Sequence, residues 1–270
     1  MVINNFLKQA FILLLLCIGI TVSAQNNLLK DAFYELRHAE NDSIAISAND
    51  KFSSLLGEYL KESSAFDSSF NDLTELGTVY SDDKKVRILS WNYSLSDGRF
   101  GYGTYLLYRP KTNKPTSVYY LSSNNPTKPN INYKYDANNW YGCLYYKVFA
   151  YKKMYFLLGY STYNDISKIK VIDVLHISNK NISLGNEIFR LDEKSKQKQQ
   201  RVVFEYSANV QMNLEYDKKS KHFVFDHLSP EEPDLEGMYH YYGPDFTFDV
   251  LKLKKKVWTL QKDVDIKNKQ

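Results

Sequence analysis

From about Gly77 onward the chain breaks into a dozen or so short runs rich in β-branched and aromatic residues, each bounded by Asp, Asn, Gly, Ser or Lys clusters. Strands read this way, and the close spacing leaves no room for the crossover helices that parallel strands require, so the sheet is expected to be antiparallel. Asp82-Asp83-Lys84 separates Thr78–Tyr80 from Val86–Trp91, and Ser96-Asp97-Gly98 separates that run from Gly103–Tyr108. An Asp-Gly pair between extended runs predicts a tight hairpin of type I′, with positive φ at both central positions. Val210, Met212, Leu214 and Tyr216 alternate with Gln211, Asn213 and Glu215, which gives one dry face and one wet face; Phe223 and Phe225 continue the pattern after a turn at Asp217–Lys221. Met154–Tyr160 and Ile169–Ile177 are nearly continuous apolar runs instead, as central strands covered on both faces should be. Residues 122–139, with two prolines and six asparagines, form a long loop, and residues 192–200 a solvated charged turn. The aspartate-bearing turns near 82, 165 and 217 are unequally spaced, so no regular propeller repeat is visible.

Upstream of Gly77 the apolar period is that of a helix. Leu29, Ala32, Phe33 and Leu36 share one face, as do Phe52, Leu55, Leu56, Tyr59 and Leu60, while Ser47 and Asp50 form a weak capping-box variant for the second helix. Phe66, Phe70 and Leu73 suggest a third, shorter turn. Both apolar stripes need cover, and the sheet that follows is the expected one. The chain is therefore expected to be mainly β (α+β): a large antiparallel assembly, as a sandwich, an open barrel or an irregular propeller, with an N-terminal helical segment. Its parts are a signal peptide over 1–24, a helical segment over 25–75 packed on the sheet, and a β domain over 76–270.

The signal peptide rests on Lys8, an apolar stretch from Ala10 to Ile20, and the small-residue exit Val22-Ser23-Ala24. Cleavage after Ala24 would send the protein to the periplasm or beyond the cell. The apolar stretch is too short for a membrane-spanning helix, which needs about 20 residues, and no later segment is a candidate span. Leu16 before Cys17 argues against lipidation, and Cys143 is then the only cysteine left, so the processed chain has no internal disulfide. A net charge of +4 is far from a nucleic-acid-binding balance, and 43% hydrophobic with 15% aromatic residues excludes a disordered chain.

Trp140-Tyr141-Gly142 leading to Leu144-Tyr145-Tyr146, then Phe156-Leu157-Leu158-Gly159-Tyr160, Lys170-Val171-Ile172-Asp173-Val174-Leu175, Val203-Phe204-Glu205-Tyr206-Ser207-Ala208, Phe225-Asp226-His227-Leu228-Ser229-Pro230 and Tyr242-Gly243-Pro244-Asp245-Phe246 form an ordered set. As a set, over roughly residues 70–270, they resemble a family of secreted proteins without an assigned activity from Bacteroidetes-type Gram-negative bacteria. The resemblance implies export across an inner membrane and assigns no catalytic residue.

Between Lys221 and Lys252 the chain has no Lys or Arg, and Asp226, Glu231, Glu232, Asp234, Glu236, Asp245 and Asp249 make that stretch acidic. Asp226, Glu236, His240 and Asp245 are the candidate acid and base residues, provided that at least two of them converge in a concavity. The carboxylates lack the alternate spacing of a calcium loop, HExxH and CxxC are absent, and no cofactor or metal is expected. His227 shares strand parity with Phe223 and Phe225 and is expected at the core edge, bonded to backbone. Asp173, inside an apolar strand, requires a partner, with Lys147 and Arg201 available by strand position. Gly98, Gly101 and Gly103 precede no helix and read as a twisted hairpin in close backbone packing, not a phosphate loop. Tyrosines pair repeatedly along the chain, and Trp140, Tyr141, Tyr241 and Tyr242 are the candidate ligand-contacting rings, one of each pair facing outward to stack on a sugar or a partner protein. The first expectation is a non-enzymatic envelope protein with a binding or structural role through a Tyr/Trp-rich sheet surface, its partner a glycan or an envelope protein. The second is a periplasmic or extracellular hydrolase of glycan or peptide that uses the 226–249 stretch.

Overall fold

The computed structural model describes residues 26–162, 164–178, 181–192, 194–262 and 264. The signal peptide, its cleavage point and Cys17 lie outside the described residues. The chain divides into two compact units, Met1–Thr74 and Glu75–Gln270.

In the first unit, helix α1 covers residues 26–37 and helix α2 covers Asp42–Tyr59. Leu29, Ala32, Phe33 and Leu36 of α1 are buried, as are Ala45, Ala48, Phe52 and Leu56 of α2, and the rings of Phe33 and Phe52 meet at 4.8 Å. The helix start differs from the expected one. Asn41, in extended backbone, accepts a bond from the Ile44 amide at 3.0 Å, whereas Ser47 and Asp50 lie inside the helix. An Asn side chain satisfies an orphan amide of the first turn at least as well as Ser does, so the earlier residue takes the cap. Phe66 and Phe70 fall in hydrogen-bonded turns after α2, and Phe70 meets the Tyr59 ring edge-on at 5.6 Å.

The second unit is three β-sheets. The first has β1 (Gly77–Tyr80), β2 (Val86–Ser94), β3 (Phe100–Tyr108) and β4 (Ser117–Ser123) in sequential order. The middle sheet orders β5 (Tyr135–Asp136), β9 (Ile182–Leu184), β8 (Ser167–Ile177), β7 (Met154–Ser161) and β6 (Leu144–Tyr151), with β11 (Val202–Ser207) on the β9 side of β8. The third orders β10 (Phe189–Arg190), β15 (Val257–Gln261), β14 (Tyr242–Lys254), β13 (His222–Pro230) and β12 (Leu214–Asp217). Every pairing is antiparallel except β10 with β15.

Side-chain alternation in the middle sheet explains the stack. Leu157, Val171 and Leu175 join one core with Val86, Ile88, Leu106 and Leu121 of the first sheet. Their neighbours Phe156, Leu158, Ile172 and Val174 join a second core with Phe223, Phe225, Leu251 and Trp258 of the third. The nearly continuous apolar runs of β7 and β8 are thus the signature of a layer buried on both faces. The sheets stay open, and no barrel closes. No helix among the described residues is long and apolar enough to cross a membrane.

Two local features follow from sterics. Leu95 donates its amide to Arg99 O at 2.9 Å around Ser96-Asp97-Gly98, and in this loop Gly98 alone takes positive φ, 78°. The hairpin is therefore a three-residue loop with a left-handed glycine and not the type I′ turn expected from Asp-Gly. Gly103 and Gly101 lie opposite Trp91 and Tyr93, and a Cβ on either glycine would fall 2.2 and 2.1 Å from those rings. Close packing of aromatic rings on bare backbone is the role these glycines serve.

Candidate functional site

Asp173 and Arg201 form a fully buried ion pair between β8 and the start of β11, with Arg201 Nε donating to Asp173 Oδ2 at 3.0 Å. The Tyr141 hydroxyl donates to the same oxygen at 2.9 Å, and the Val174 amide donates to Oδ1 at 2.7 Å. Arg201 also donates to the carbonyls of Asn130, Tyr133 and Leu184 and stacks on the Tyr135 ring, its Cζ 4.6 Å from the centroid. Burial disfavours the charged guanidinium, but the Asp173 carboxylate, together with the Tyr141 and Tyr135 phenols, outweighs it and holds the Arg201 pKa above its ordinary value. The same burial, reinforced by Asp173, pushes the Tyr141 phenol upward.

This network corrects the expectation for Trp140 and Tyr141. Their exposures are 5% and 1%, and Tyr145 Oη accepts from Trp140 Nε1 at 3.0 Å. Residues 124–134, which run without a strand, supply the carbonyls that Arg201 needs. A planar fork with several donors pins an irregular loop where a sheet ladder cannot, and the adjacent Trp-Tyr rings close over it. The pair is structural, with Arg201 the partner among the two available by strand position.

The acidic stretch is laid out along the β13–β14 hairpin. Phe225 faces Asp249 and Asp226 faces Phe248; the ladder then resumes at Leu228 with Pro244, so that His227 alone opposes Asp245, Phe246 and Thr247. A bulge of this kind re-aims side chains and breaks regular pairing. The register sets Asp249 on the face of His227, one diagonal step away, and His227 Nδ1 lies 2.9 Å from Asp249 Oδ2. His227 Nε2 points the other way, 4.0 Å from Asp245 Oδ2. The expected backbone partner of His227 is thus replaced by a carboxylate. Burial raises the Asp245 pKa, but bonds from the Thr247 hydroxyl and amide, with the His227 ring nearby, outweigh it and leave the pKa lowered.

The four acid–base candidates do not converge. Asp226 Oδ2 accepts from the Asn213 amide at 2.7 Å and from Asn213 Nδ2 at 3.1 Å, which ties β13 to the residue before β12. Glu236 is exposed, and His240 packs its ring 4.2 Å from that of Tyr241; among the described residues no hydrogen bond, ion pair or ring contact joins either of them to Asp226 or Asp245. No hydroxyl or thiol bonds His227, and no three His, Cys, Asp or Glu side chains group as a metal site, again among the described residues. A marked groove, about 750 Å³, lies elsewhere, in the helical unit between Tyr34, His38, Ile44 and Lys51.

What the hairpin does present is apolar surface. Phe246 sits in the bulge at φ 69° with 95% of its surface exposed, an uncommon backbone conformation for a bulky residue. Met238, Tyr239, Tyr241 (40% exposed) and Phe248 are also exposed along the same hairpin. Tyr242 is half-buried, accepts from the Gly237 amide at 3.0 Å and packs 5.1 Å from Tyr239. Lys128 Nζ holds the Tyr239 ring from below at 4.8 Å and pairs with Glu205 Oε2 of β11 at 2.6 Å, so the hairpin tip is anchored to the middle sheet. Of the four rings singled out in the sequence, Tyr241 is exposed and Tyr242 partly so. Phe246, Tyr239 and Phe248 were missed: Phe246 sits in a bulge that strand alternation does not foresee, and Tyr239 lies in a 3-10 turn of the connection, outside any strand. Comparison with protein-family models, curated proteins and solved structures finds no match.

Proposed function

We propose that this protein is an exported, non-catalytic binding component of a bacterial cell envelope, and that the aromatic β13–β14 hairpin is its contact surface for a glycan or an envelope protein. The observation that supports the reading is Phe246. A fully exposed phenylalanine in a left-handed conformation costs free energy twice, once in backbone strain and once in hydrated apolar area, and such costs persist where they serve a contact. The neighbouring tyrosines carry amphipathic faces suited to sugar rings or a protein surface and lose little entropy on binding. Asp245 and the tip carboxylates border the rings and can accept hydroxyl or amide hydrogen bonds at the rim.

Titration with soluble envelope oligosaccharides, followed by tryptophan fluorescence and by the unfolding midpoint, tests the proposal. Binding by mass action raises the midpoint by RT ln(1 + [L]/Kd). A saturable response that disappears in Phe246→Ser and Tyr241→Ser, with the midpoint of the free protein retained, is expected. The second reading, a hydrolase, draws on the Asp249–His227–Asp245 alignment. Cleavage of the oligosaccharide, abolished by Asp245→Asn or His227→Gln, would replace the binding reading with it.

A further inference from the structure

We infer that the other end of the three-sheet unit docks onto an anionic bilayer surface through the lysines of its turns. β13 runs from His222 at this end to Pro230 near the aromatic tip, so the two surfaces lie at opposite ends of one strand.

Four hairpin turns drawn from all three sheets meet here. The Ala150 amide, just before the β6–β7 turn, donates to Asp82 Oδ1 of the β1–β2 turn at 2.9 Å, and the Tyr155 hydroxyl, just after it, donates to Asp83 Oδ2 at 3.1 Å. Lys218 of the β12–β13 turn reaches the Asp82 carboxylate at 3.7 Å. Tyr151 and Trp258, which flank the β6–β7 and β14–β15 turns, bring their rings within 6.0 Å. Each of the four turns carries an exposed Lys-Lys pair: Lys84-Lys85, Lys152-Lys153, Lys218-Lys219 and Lys255-Lys256. In sequence these pairs are far apart and each reads as an ordinary solvated turn; the stacking of three sheets gathers them.

The carboxylates of this end are fewer than its lysines, three against eight in the paired positions, and each is engaged although Asp82 stays exposed. Asp82 and Asp83 join one turn to the next, as above, and Asp217 accepts from the amides of Lys219 and Ser220 within its own turn. Lys218 and Lys85 pair with Asp82 and Asp83, and the remaining exposed lysines leave this end with an excess of positive charge. The backbone gives an independent sign, because Lys84, Lys152, Lys221, Lys255 and Lys256 all adopt positive φ, between 48° and 70°. Asn or Gly would take that conformation at lower cost, so the turn geometry itself does not call for lysine.

The chemistry of the patch selects its occupant. Lysine is a hydrated point charge on a flexible stem, without the planar fork with which arginine reads one phosphate geometry, and this suits a diffuse negative surface. Among the described residues, the exposed large apolar side chains include Leu253 at this end and no aromatic ring. The half-buried rings of Tyr80 and Tyr151 lie under Lys84 and Lys152 and leave no open stacking face of the kind single-stranded nucleic-acid binders use, and the patch has no apolar wedge to enter hydrocarbon. A planar array of phosphate headgroups, whose potential extends over a Debye length of about 8 Å at physiological salt, is the matching partner.

Co-sedimentation with vesicles tests the inference. The purified protein should bind vesicles of mixed phosphatidylglycerol and phosphatidylcholine, leave them as salt is raised, and ignore vesicles of phosphatidylcholine alone. Lys152→Gln/Lys153→Gln and Lys255→Gln/Lys256→Gln should each weaken partitioning at least about tenfold, since one lysine near an anionic leaflet contributes roughly a fivefold gain. Lys194→Gln/Lys196→Gln, an equal loss of charge at two exposed positions outside the four turns, should change it little. Unfolding midpoints equal to that of the wild type establish that the variants fold. Failure to bind the anionic vesicles at low salt, or an equal loss with the Lys194/Lys196 variant, overturns the inference. Tighter binding to heparin or duplex DNA than to the vesicles at matched salt overturns the lipid assignment and makes the patch a site for a soluble polyanion. None of these outcomes bears on the Phe246 surface.

Discussion

Asp173 shows how much one side chain can settle in a buried layer. Its carboxylate receives Arg201, Tyr141 and a backbone amide, and Arg201 in turn holds three carbonyls, two of them from residues 124–134. Removing one partner strands a charge with no exposed surface, which typically costs about 3 to 5 kcal/mol, whereas replacing both with apolar groups costs far less or nothing. Asp173→Asn and Arg201→Met are each expected to lose about 3 to 5 kcal/mol of unfolding free energy in urea, and Asp173→Leu/Arg201→Met much less than the sum of its parts. Simple additivity in that cycle would mean the two groups do not act as a pair. The need for a partner was legible in the sequence, because an ionised acid inside Val171–Leu175 is intolerable alone. That Tyr141 would be consumed in the same network was not, since outward and inward rings of a Trp-Tyr pair look alike until the loop around them is placed.

Among the elements, hairpins carry the clearest local chemistry, and they do not all follow the favoured turn residues. Lys255 and Lys256 join β14 to β15 in a two-residue turn with φ of 48° and 70°, the pattern of a type I′ turn made without Asn or Gly. Replacing the pair by Asn-Gly relieves two left-handed lysines and is expected to stabilise the protein by about 1 kcal/mol, read as a higher urea midpoint at unchanged slope. The same variant should bind anionic vesicles less well, which separates the stability of this turn from its charge. A lower midpoint would show that the lysine side chains, and not the turn geometry, stabilise the hairpin. Ser96-Asp97-Gly98 teaches a related point: the glycine was recognisable as a turn residue, but the loop length that selects its turn type depends on where Leu95 and Arg99 pair.

At the scale of the three-sheet unit, the middle layer is covered on both faces at β7 and β8, and the thiol of Cys143 sits in the core it shares with the first sheet. Burial pushes that thiol well above its usual pKa, with a smaller opposing contribution from the Tyr145 hydroxyl, which disfavours the thiolate that alkylating reagents need. With Cys17 replaced by Ser, labelling of Cys143 by iodoacetamide at neutral pH should be undetectable in the native protein and should follow the global unfolding transition through a urea series. Labelling well below that transition would reveal that the first sheet separates from the middle one before the molecule unfolds.

The sequence by itself determined that the chain is mainly β, that helices precede the strands, that β7 and β8 are central, and that the glycines near 101 serve packing; each follows from periodicity or sterics within a few residues. The tertiary structure alone decided which charges and rings meet. Whether Asp226, Glu236, His240 and Asp245 converge depends on how the β13–β14 hairpin is laid out: Asp226 and Asp245 lie on its strands, Glu236 and His240 in the connection, and the bulge opposite His227 holds Phe246 in solvent. Likewise, Lys-Lys pairs in four turns, the first and last well over a hundred residues apart in the chain, become one basic end because antiparallel strands return alternate turns to the same side and contacts between the turns join the three sheets there. Local sequence sets the conformation of each turn, and long-range pairing sets its neighbours.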